Sequence, residues 1–138
     1  MVLADEPEGV PLMIGTLADR ARLPKRFLEL ILLELKGIGV VNSRKGKQGG
    51  YFLNRHPKEI ALGHVIRTLD GPLALLPCVS KTAYEPCEEC DDERTCGLRL
   101  VMLDVRNATA GILDDTTLAE MIERERTAKS RPDLMYYI

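Results

Sequence analysis

Aromatic residues, histidines and long apolar runs are scarce in this chain of 138 residues. It has no tryptophan, and aromatic residues make up only 4% of the sequence. Its two histidines, His56 and His64, are interpreted as exposed or capping residues rather than metal ligands. No apolar run approaches the ~20 residues of a membrane span, and nothing at the N-terminus resembles a secretion signal. We therefore expect a cytoplasmic protein that does not associate with membranes.

The overall composition is that of an ordinary globular domain. Apolar residues make up 45% of the chain and charged residues 29%, which is typical of folded proteins with a real core. The glycine pair Gly49–Gly50 lacks the GxxxxGK[ST] spacing of a phosphate-binding loop. Since no catalytic base or cofactor loop is evident either, the sequence does not indicate an enzyme.

Charge is distributed unevenly along the chain. The segment from Asp19 to Lys58 contains ten Lys and Arg against three Asp and Glu, a net charge of +7, whereas the whole chain carries −2. The remainder therefore carries −9. A basic segment in an otherwise acidic chain is the usual electrostatic signature of a nucleic-acid binder.

Within the basic segment, apolar spacing predicts two short helices joined by a tight turn, Met13–Arg22 and Pro24–Lys36. Pro24 suits the first helical turn, and Gly37 with Gly39 is typical of a helix end. The second helix has an apolar stripe that we expect to face the core: Phe27, Leu28, Ile31, Leu32 and Leu35. This arrangement is a helix-turn-helix in which Lys25, Arg26 and Glu29 lie where such helices contact base edges.

A two-stranded hairpin is predicted next. Val40–Arg44 and Tyr51–Leu53 have strand character, and the glycine-rich turn between them carries two lysines. A helical hairpin without nucleic acid is the alternative for the preceding helices, but a basic hairpin directly after them favours a winged helix. The fold class is therefore mainly α with a small β-wing. The candidate DNA contacts of the wing are Arg44, Lys45, Lys47 and Gln48.

The C-terminal half is predicted to be helical. A helix with Leu62, Val65, Ile66 and Leu69 precedes the cysteines, and a longer one runs from Thr95. The apolar stripe of the longer helix is wider than one domain needs to bury, which predicts a symmetric dimer. Asp114 or Asp115 is expected to cap a last helix, Thr116–Arg126, and the chain ends in the apolar segment Met135–Ile138.

All four cysteines lie within the nineteen residues Cys78–Cys96, with the spacing Cys-x8-Cys-x2-Cys-x5-Cys. Soft thiolate ligands at this density predict an iron–sulfur cluster or zinc. Two disulfides are a weaker interpretation without a secretion signal. A redox Cys-x-x-Cys site is weaker still, because six acidic residues surround the pair and oppose a lowered thiol pKa. The candidate metal ligands are Cys78, Cys87, Cys90 and Cys96.

Three segments resemble the Rrf-two (Rrf2) family of bacterial winged-helix regulators: FLELILLELKGIGVVNSRKGKQGGYFL, HPKEIALGHVIRTLDGPLALLPC and CGLRLVMLDVRNATAGILDDTTLAEM. The resemblance implies a homodimeric transcription regulator that binds a palindromic operator. Members include the regulator of iron–sulfur cluster assembly and a nitric-oxide-sensing repressor, whose loop cysteines hold a cluster. It further implies base discrimination by Glu29, minor-groove or backbone contacts by Lys45 and Lys47, and cluster ligation by Cys90 and Cys96.

This sequence departs from the family pattern at four places. Cys78 stands further upstream than the family's first cysteine, and Cys87 is additional. Arg99 occupies the position at which some members have a histidine ligand. The family's opening helix would be shortened or missing. The resemblance implies a DNA-binding domain at 1–76, a cysteine-rich sensor loop at 77–96, a dimerisation helix at 97–113 and a C-terminal helix and tail at 114–138.

The leading hypothesis is a DNA-binding regulator whose affinity depends on an iron–sulfur cluster. A variant of this hypothesis keeps the DNA binding and replaces the cluster with zinc or a thiol–disulfide switch. The rival from another class is a small Cys-x-x-Cys redox protein or metal carrier, which leaves the basic winged helix without a role.

Overall fold

The computed structural model describes residues 1–130, so the predicted apolar segment Met135–Ile138 lies outside the described residues. The described part contains five α-helices and one two-stranded sheet. The helices are α1 (Ile14–Ala21), α2 (Lys25–Gly37), α3 (Leu62–Leu69), α4 (Gly97–Asp115) and α5 (Leu118–Ser130); the strands are β1 (Val41–Arg44) and β2 (Gly50–Leu53). Short 3-10 turns occur at Val2–Ala4, Pro57–Glu59 and Pro77–Val79.

The tight turn between α1 and α2 depends on one left-handed residue. Arg22 has φ 54° and ψ 40°, and this conformation lets the Leu23 N–H bond back to the Ala18 carbonyl at 3.1 Å. Pro24 is extended, with φ −58° and ψ 131°, and it immediately precedes α2 instead of lying inside its first turn as predicted. Its carbonyl accepts from the Leu28 N–H at 3.0 Å, so it begins the helix without needing an N–H of its own.

The core joins both helices to the base of the wing. Its buried members are Leu17, Ala18, Leu28, Leu32, Val40, Val41 and Ile60. The prediction that Phe27 faces this core is wrong, because its side chain is 54% exposed. The buried stripe of α2 is centred on Leu28 and Leu32. Phe27 lies one position before Leu28, and because successive residues are rotated around the helix axis, its side chain points out of this stripe.

The wing is an antiparallel hairpin with an additional backbone partner. Val41 pairs with Leu53 and Arg44 with Gly50. Tyr51 also exchanges two backbone hydrogen bonds with Leu12, at 2.8 and 2.9 Å. This bridge fixes the wing to the chain that leads into α1, so the helix-turn-helix and the wing form one unit.

Helix α3 is joined to α4 by a two-point ion pair. Arg67 Nη1 and Nη2 donate to the two carboxylate oxygens of Asp114, at 2.6 and 2.8 Å. A Cβ at position 63 of α3 would lie 2.1 Å from Asp114 Oδ1, so a larger residue in place of Gly63 would displace this carboxylate. Asp114 is therefore engaged by a residue 47 positions upstream and does not cap the last helix.

The cap of α5 is Thr117, so the prediction of Asp114 or Asp115 is wrong. The Thr117 N–H donates to Glu120 Oε2 at 2.7 Å, and the Glu120 N–H donates to Thr117 Oγ1 at 3.2 Å. This reciprocal pair is a capping box. The Leu62 N–H donates to the Thr116 carbonyl, and the Leu118 N–H donates to the Ile60 carbonyl. These bonds attach the start of α5 to the winged domain, and Ile122 of α5 is buried.

Helix α4 contributes no buried residue to the described chain. The most exposed large apolar side chains of α4 are Leu98, Val101 and Ile112, at 64%, 60% and 64% exposure. Within residues 1–130, no helix combines the length and apolar character needed to cross a bilayer.

The glycine at position 50 supplies a test of the wing anchor. A Cβ there would lie 2.1 Å from the Leu12 carbonyl oxygen, and the residue has φ +155°. We expect Gly50→Ala to lower the free energy of unfolding by about 1–3 kcal/mol, because backbone must move to relieve the overlap. Urea titration measures the loss.

Gly15→Ala is the matched control, because Gly15 is exposed in α1 and a Cβ added there would have no atom within 4 Å. It should leave stability unchanged or raise it by up to about 1 kcal/mol through better helix propensity. Equal urea unfolding midpoints for the wild type and for Gly50→Ala would show that the Leu12–Tyr51 bridge does not hold the wing in a fixed position.

Candidate nucleic-acid interface and cysteine loop

The start of α2 and the wing open onto one concave surface. This surface encloses about 640 Å³. Lys25, Ser43, Arg44 and Tyr51 line it together with wing glycines, Met13 and α1 residues that include one carboxylate, Asp19. Two cationic side chains from different elements, Lys25 and Arg44, thus border the same concavity. A surface of this kind suits a phosphate backbone.

The structure places six of the seven predicted DNA contacts at exposed positions: Lys25, Arg26, Arg44, Lys45, Lys47 and Gln48. Glu29 is half-buried, one turn into α2. The wing turn that carries both lysines is closed by a hydrogen bond from the Gly49 N–H to the Gly46 carbonyl at 2.9 Å. The Arg44 guanidinium lies 5.8 Å from the centre of the Phe52 ring, which restrains it at the wing edge.

Apolar residues on the outer face of α2 were not predicted as part of this surface. Leu30 and Leu33 are 60% and 59% exposed, and helical spacing places them with Arg26 on the face opposite Leu28 and Leu32. The signal was present in the sequence, because a run of four apolar residues at 30–33 cannot all face one core.

Cys90 is the central one of three neighbouring cysteines. Cys96 and Cys87 both raise the pKa of its thiol, and the Cys90 N–H donates to the Cys87 carbonyl at 3.3 Å. Cys78 is buried on the 3-10 turn at the start of the loop, whereas Cys87 is exposed. The structure therefore gathers Cys87, Cys90 and Cys96, with Cys78 held separately at the base.

Cys96 and Cys90 have opposite acid–base properties. Cys96 is the N-cap residue of α4, and the Arg99 backbone N–H together with the Cys90 thiol lowers its pKa. The hydrogen bond to Cys96, with burial and the neighbouring Cys87, raises the pKa of Cys90 to about 11. A thiolate at a helix N-terminus is a good nucleophile and a good metal ligand.

Arg99 connects both ends of the loop to α4. Its Nε lies 3.2 Å from the Cys78 carbonyl and 3.3 Å from Glu93 Oε2. The other oxygen of Glu93 accepts from the Tyr84 hydroxyl at 2.8 Å and from the Cys87 N–H at 3.4 Å. This hydrogen bond to Glu93 also raises the pKa of Tyr84. Arg99 occupies the position at which some Rrf2 members have a histidine ligand, and here its side chain ties the loop to α4.

Four thiols are suitable donors for a cluster or for zinc. Within residues 1–130, however, no group of three His, Cys, Asp or Glu side chains is arranged to hold a metal ion as it stands. The donor types fit a cluster or zinc, and Cys87 and Cys96 both lie near enough to Cys90 to raise its pKa. Ligation would require their thiols to turn toward one centre.

The difference in pKa between the two cysteines predicts selective alkylation of the metal-free protein. At pH 8 Cys90 is a thiolate in only roughly one molecule in a thousand, since its pKa of about 11 lies three units higher. Iodoacetamide should therefore modify Cys96 first, and Cys90 only as the pH approaches 11. Mass spectrometry of quenched samples locates each adduct.

Cys90→Ala is the informative companion variant, because it removes the thiol hydrogen bond that helps lower the pKa of Cys96. The alkylation of Cys96 at pH 7 should become slower in this variant. Faster modification of Cys90 than of Cys96 in the wild type would contradict the described arrangement.

Comparison with known proteins identifies the family. Residues 1–124 match the Rrf2 family, described as iron-dependent transcriptional regulator. A Rhodobacter capsulatus protein named as an rrf2-like regulator of the HTH type is 42% identical over 118 residues, which cover 86% of this chain and 77% of that protein.

Solved structures agree in fold. CymR, the global cysteine regulator of B. subtilis, superposes with a TM-score of 0.70 at 28% identity, over 89% of this chain and 86% of that one. T. potens IscR gives a TM-score of 0.65 at 29% identity, over 92% and 80%. The chain thus belongs to the Rrf2 family of winged-helix transcriptional regulators.

Proposed function

We propose that this regulator is a cytoplasmic homodimer that reads a palindromic operator with α2 and the wing. In the proposal, an iron–sulfur cluster held by loop cysteines sets its affinity for DNA. The observation that carries the DNA-binding part is the concave surface shared by Lys25 of α2 and Arg44 of the wing, in a chain that belongs to a family of transcriptional regulators.

The seven candidate contacts divide into two roles. Lys25 and Arg26 lie at the N-terminal end of α2, where the helix dipole adds to their attraction for phosphate. Arg44, Lys45, Lys47 and Gln48 would contact the backbone or the minor groove from the wing. In this proposal Glu29 would accept from the amino group of cytosine, and its charge would disfavour registers in which it faces a phosphate.

Lys47 and Glu29 should respond differently to truncation. Lys47→Ala removes a phosphate contact, so it should weaken operator and random duplex alike and lower the salt slope by about one unit. Glu29→Ala should reduce the ratio of operator to random affinity more than it weakens random binding. Fluorescence anisotropy titrations at several salt concentrations measure both effects.

Lys58→Ala is the matched control for charge, because Lys58 is exposed on the Pro57–Glu59 turn, away from the wing. Its salt slope should equal that of wild type. An unchanged specificity ratio in Glu29→Ala would remove the base-reading role from Glu29.

The dimer interface is proposed along one face of α4. Leu98, Val101, Val105, Ala108 and Ile112 repeat at intervals of three and four residues, as in the apolar seam of paired helices. All five are exposed, and nothing in residues 1–130 of the same chain covers them. The half-buried residues of α4, among them Met102, Arg106 and Leu113, lie about a third of a turn away and face the chain's own body.

Val105→Glu should separate the dimer, because it would bury an unpaired carboxylate in the seam. A penalty of this kind weakens self-association on the order of a hundredfold or more. Sedimentation velocity at micromolar concentration measures the change. Asn107→Glu, an exposed position off the seam, is the control and should remain dimeric. A monomeric wild type would end the proposal.

Cys96 is the best-supported ligand, because it is fixed at the first turn of α4 and its thiol pKa is lowered there. Cys90 and Cys87 are in contact with it or with each other, and Cys78 would complete a set of four. A cluster would supply an iron centre that responds to oxygen, nitric oxide or iron supply. The chain's part is to bring the loop's thiols to the start of α4.

Zinc or a thiol–disulfide switch at the same cysteines is the second candidate. The Cys96 thiol is near enough to raise the pKa of Cys90, and two neighbouring thiols can be oxidised to a disulfide, which supports the thiol–disulfide switch. A Cys-x-x-Cys metal carrier fits less well, since it gives the concave basic surface no role.

An absorption spectrum of anaerobically purified protein, with metal analysis, tests the cofactor. The proposal predicts visible bands that are lost in Cys96→Ser. The same measurement on Cys78→Ser shows whether three cysteines suffice. A colourless protein with bound zinc would contradict the cluster and favour the zinc variant. A colourless protein without metal would favour the dithiol variant.

A further inference from the structure

A second cavity lies at the junction of α3, the start of the cysteine loop and α4. It encloses about 240 Å³ and is separate from the concave surface beside the wing. Since a water molecule occupies roughly 30 Å³, the cavity has room for about eight. It is smaller than the pockets that bind drug-sized ligands and matches a small ion or metabolite.

Cations dominate the polar lining of this cavity. Arg67, Lys81 and Arg106 line it, and Asp114 is the only carboxylate among the lining residues. Both oxygens of Asp114 are engaged by Arg67. The charges of Lys81 and Arg106 therefore have no further carboxylate among the lining residues. The hydroxyl residues Ser80 and Thr82 supply additional hydrogen-bonding groups at the same wall.

Arg106 carries a buried donor with no partner. Its Nε is inaccessible to solvent and makes no hydrogen bond within the described part of the chain. An unsatisfied buried donor costs free energy, more so on a charged group. The proposed dimer seam does not provide a partner, because Arg106 lies on the side of α4 that faces the chain's own body.

We propose that this cavity binds a small oxyanion, such as phosphate, sulfate or a small carboxylate, between Lys81 and Arg106. Planar guanidinium groups bind carboxylate and phosphate through paired hydrogen bonds. The ligand would pair with the Arg106 guanidinium where it lines the cavity and would balance the charge of Lys81. It would also join α3, the base of the cysteine loop and α4, the three elements between the DNA-reading surface and the dimer seam. The proposal is independent of DNA binding and of the cluster.

Thermal unfolding with inorganic phosphate tests the site. Sodium phosphate is titrated into the full chain against sodium chloride at equal ionic strength. The wild-type Tm should rise with phosphate concentration as expected for one ligand that binds only the folded state. Lys81→Ser should weaken the apparent affinity at least tenfold, and Arg106→Gln should do the same. Lys81 is exposed, so its variant keeps the test valid even where Arg106→Gln folds poorly.

Lys58→Ser and Arg124→Gln remove the same charges at exposed positions outside the cavity and should leave the phosphate effect unchanged. The proposal is overturned by a wild-type Tm that does not respond to phosphate, or by equal responses in wild type and Lys81→Ser. Titration of the protein with random duplex DNA at several salt concentrations shows whether the ligand of this cavity is a free anion or a phosphate of the DNA backbone. Arg106→Gln should leave the salt slope unchanged, and a loss of about one unit would assign the site to the DNA backbone instead.

Discussion

The contact of Arg99 with Glu93 and with the Cys78 carbonyl determines where the cysteine loop lies. It is a partly buried ion pair, with both side chains about one-fifth exposed. The Arg99 guanidinium belongs to the beginning of α4. Its two acceptors are the Cys78 carbonyl at the start of the loop and the Glu93 carboxylate near the end of the loop. Because Glu93 also accepts from Tyr84 and from the Cys87 backbone, the loss of this pair would release most of the loop from α4.

This attachment makes α4 the shared element of the molecule. At its beginning it holds the cysteine loop through Cys96 and Arg99, and near its end it holds α3 through the Arg67–Asp114 pair. Its outer face is the proposed dimer seam. In the proposed dimer, a ligand that changes the loop would therefore change the angle at which the two winged domains meet DNA. Such a ligand shifts the balance between two arrangements only by its difference in affinity for them.

Local sequence signals predicted the fold well. Apolar spacing located α1, α2 and α3 to within two residues, and the glycine-rich turn with its lysines located the wing, because these elements depend on neighbouring residues. The errors came from long-range contacts. Asp114 was expected to cap a helix, but Arg67, far upstream, takes both of its oxygens, and Thr117 with Glu120 provides the cap.

The cysteine loop shows the same limit. Spacing identified the four thiols as a group, but not that Cys78 is buried or that Cys90 lies near Cys87 and Cys96. Glu93 was counted among the six acidic residues that oppose a lowered thiol pKa. In the structure, Arg99 and Tyr84 engage it, a pairing that no short-range pattern encodes.

The central claim is that the state of the loop cysteines controls operator recognition. Paired titrations of operator and random duplex, with cluster-loaded and cluster-free protein at one salt concentration, test it most directly. Coupling of this kind changes affinity by about 5- to 150-fold, so the two forms should differ on the operator by a factor in that range and little on random duplex. Identical operator affinity in both forms would contradict the account and leave the loop a purely structural element.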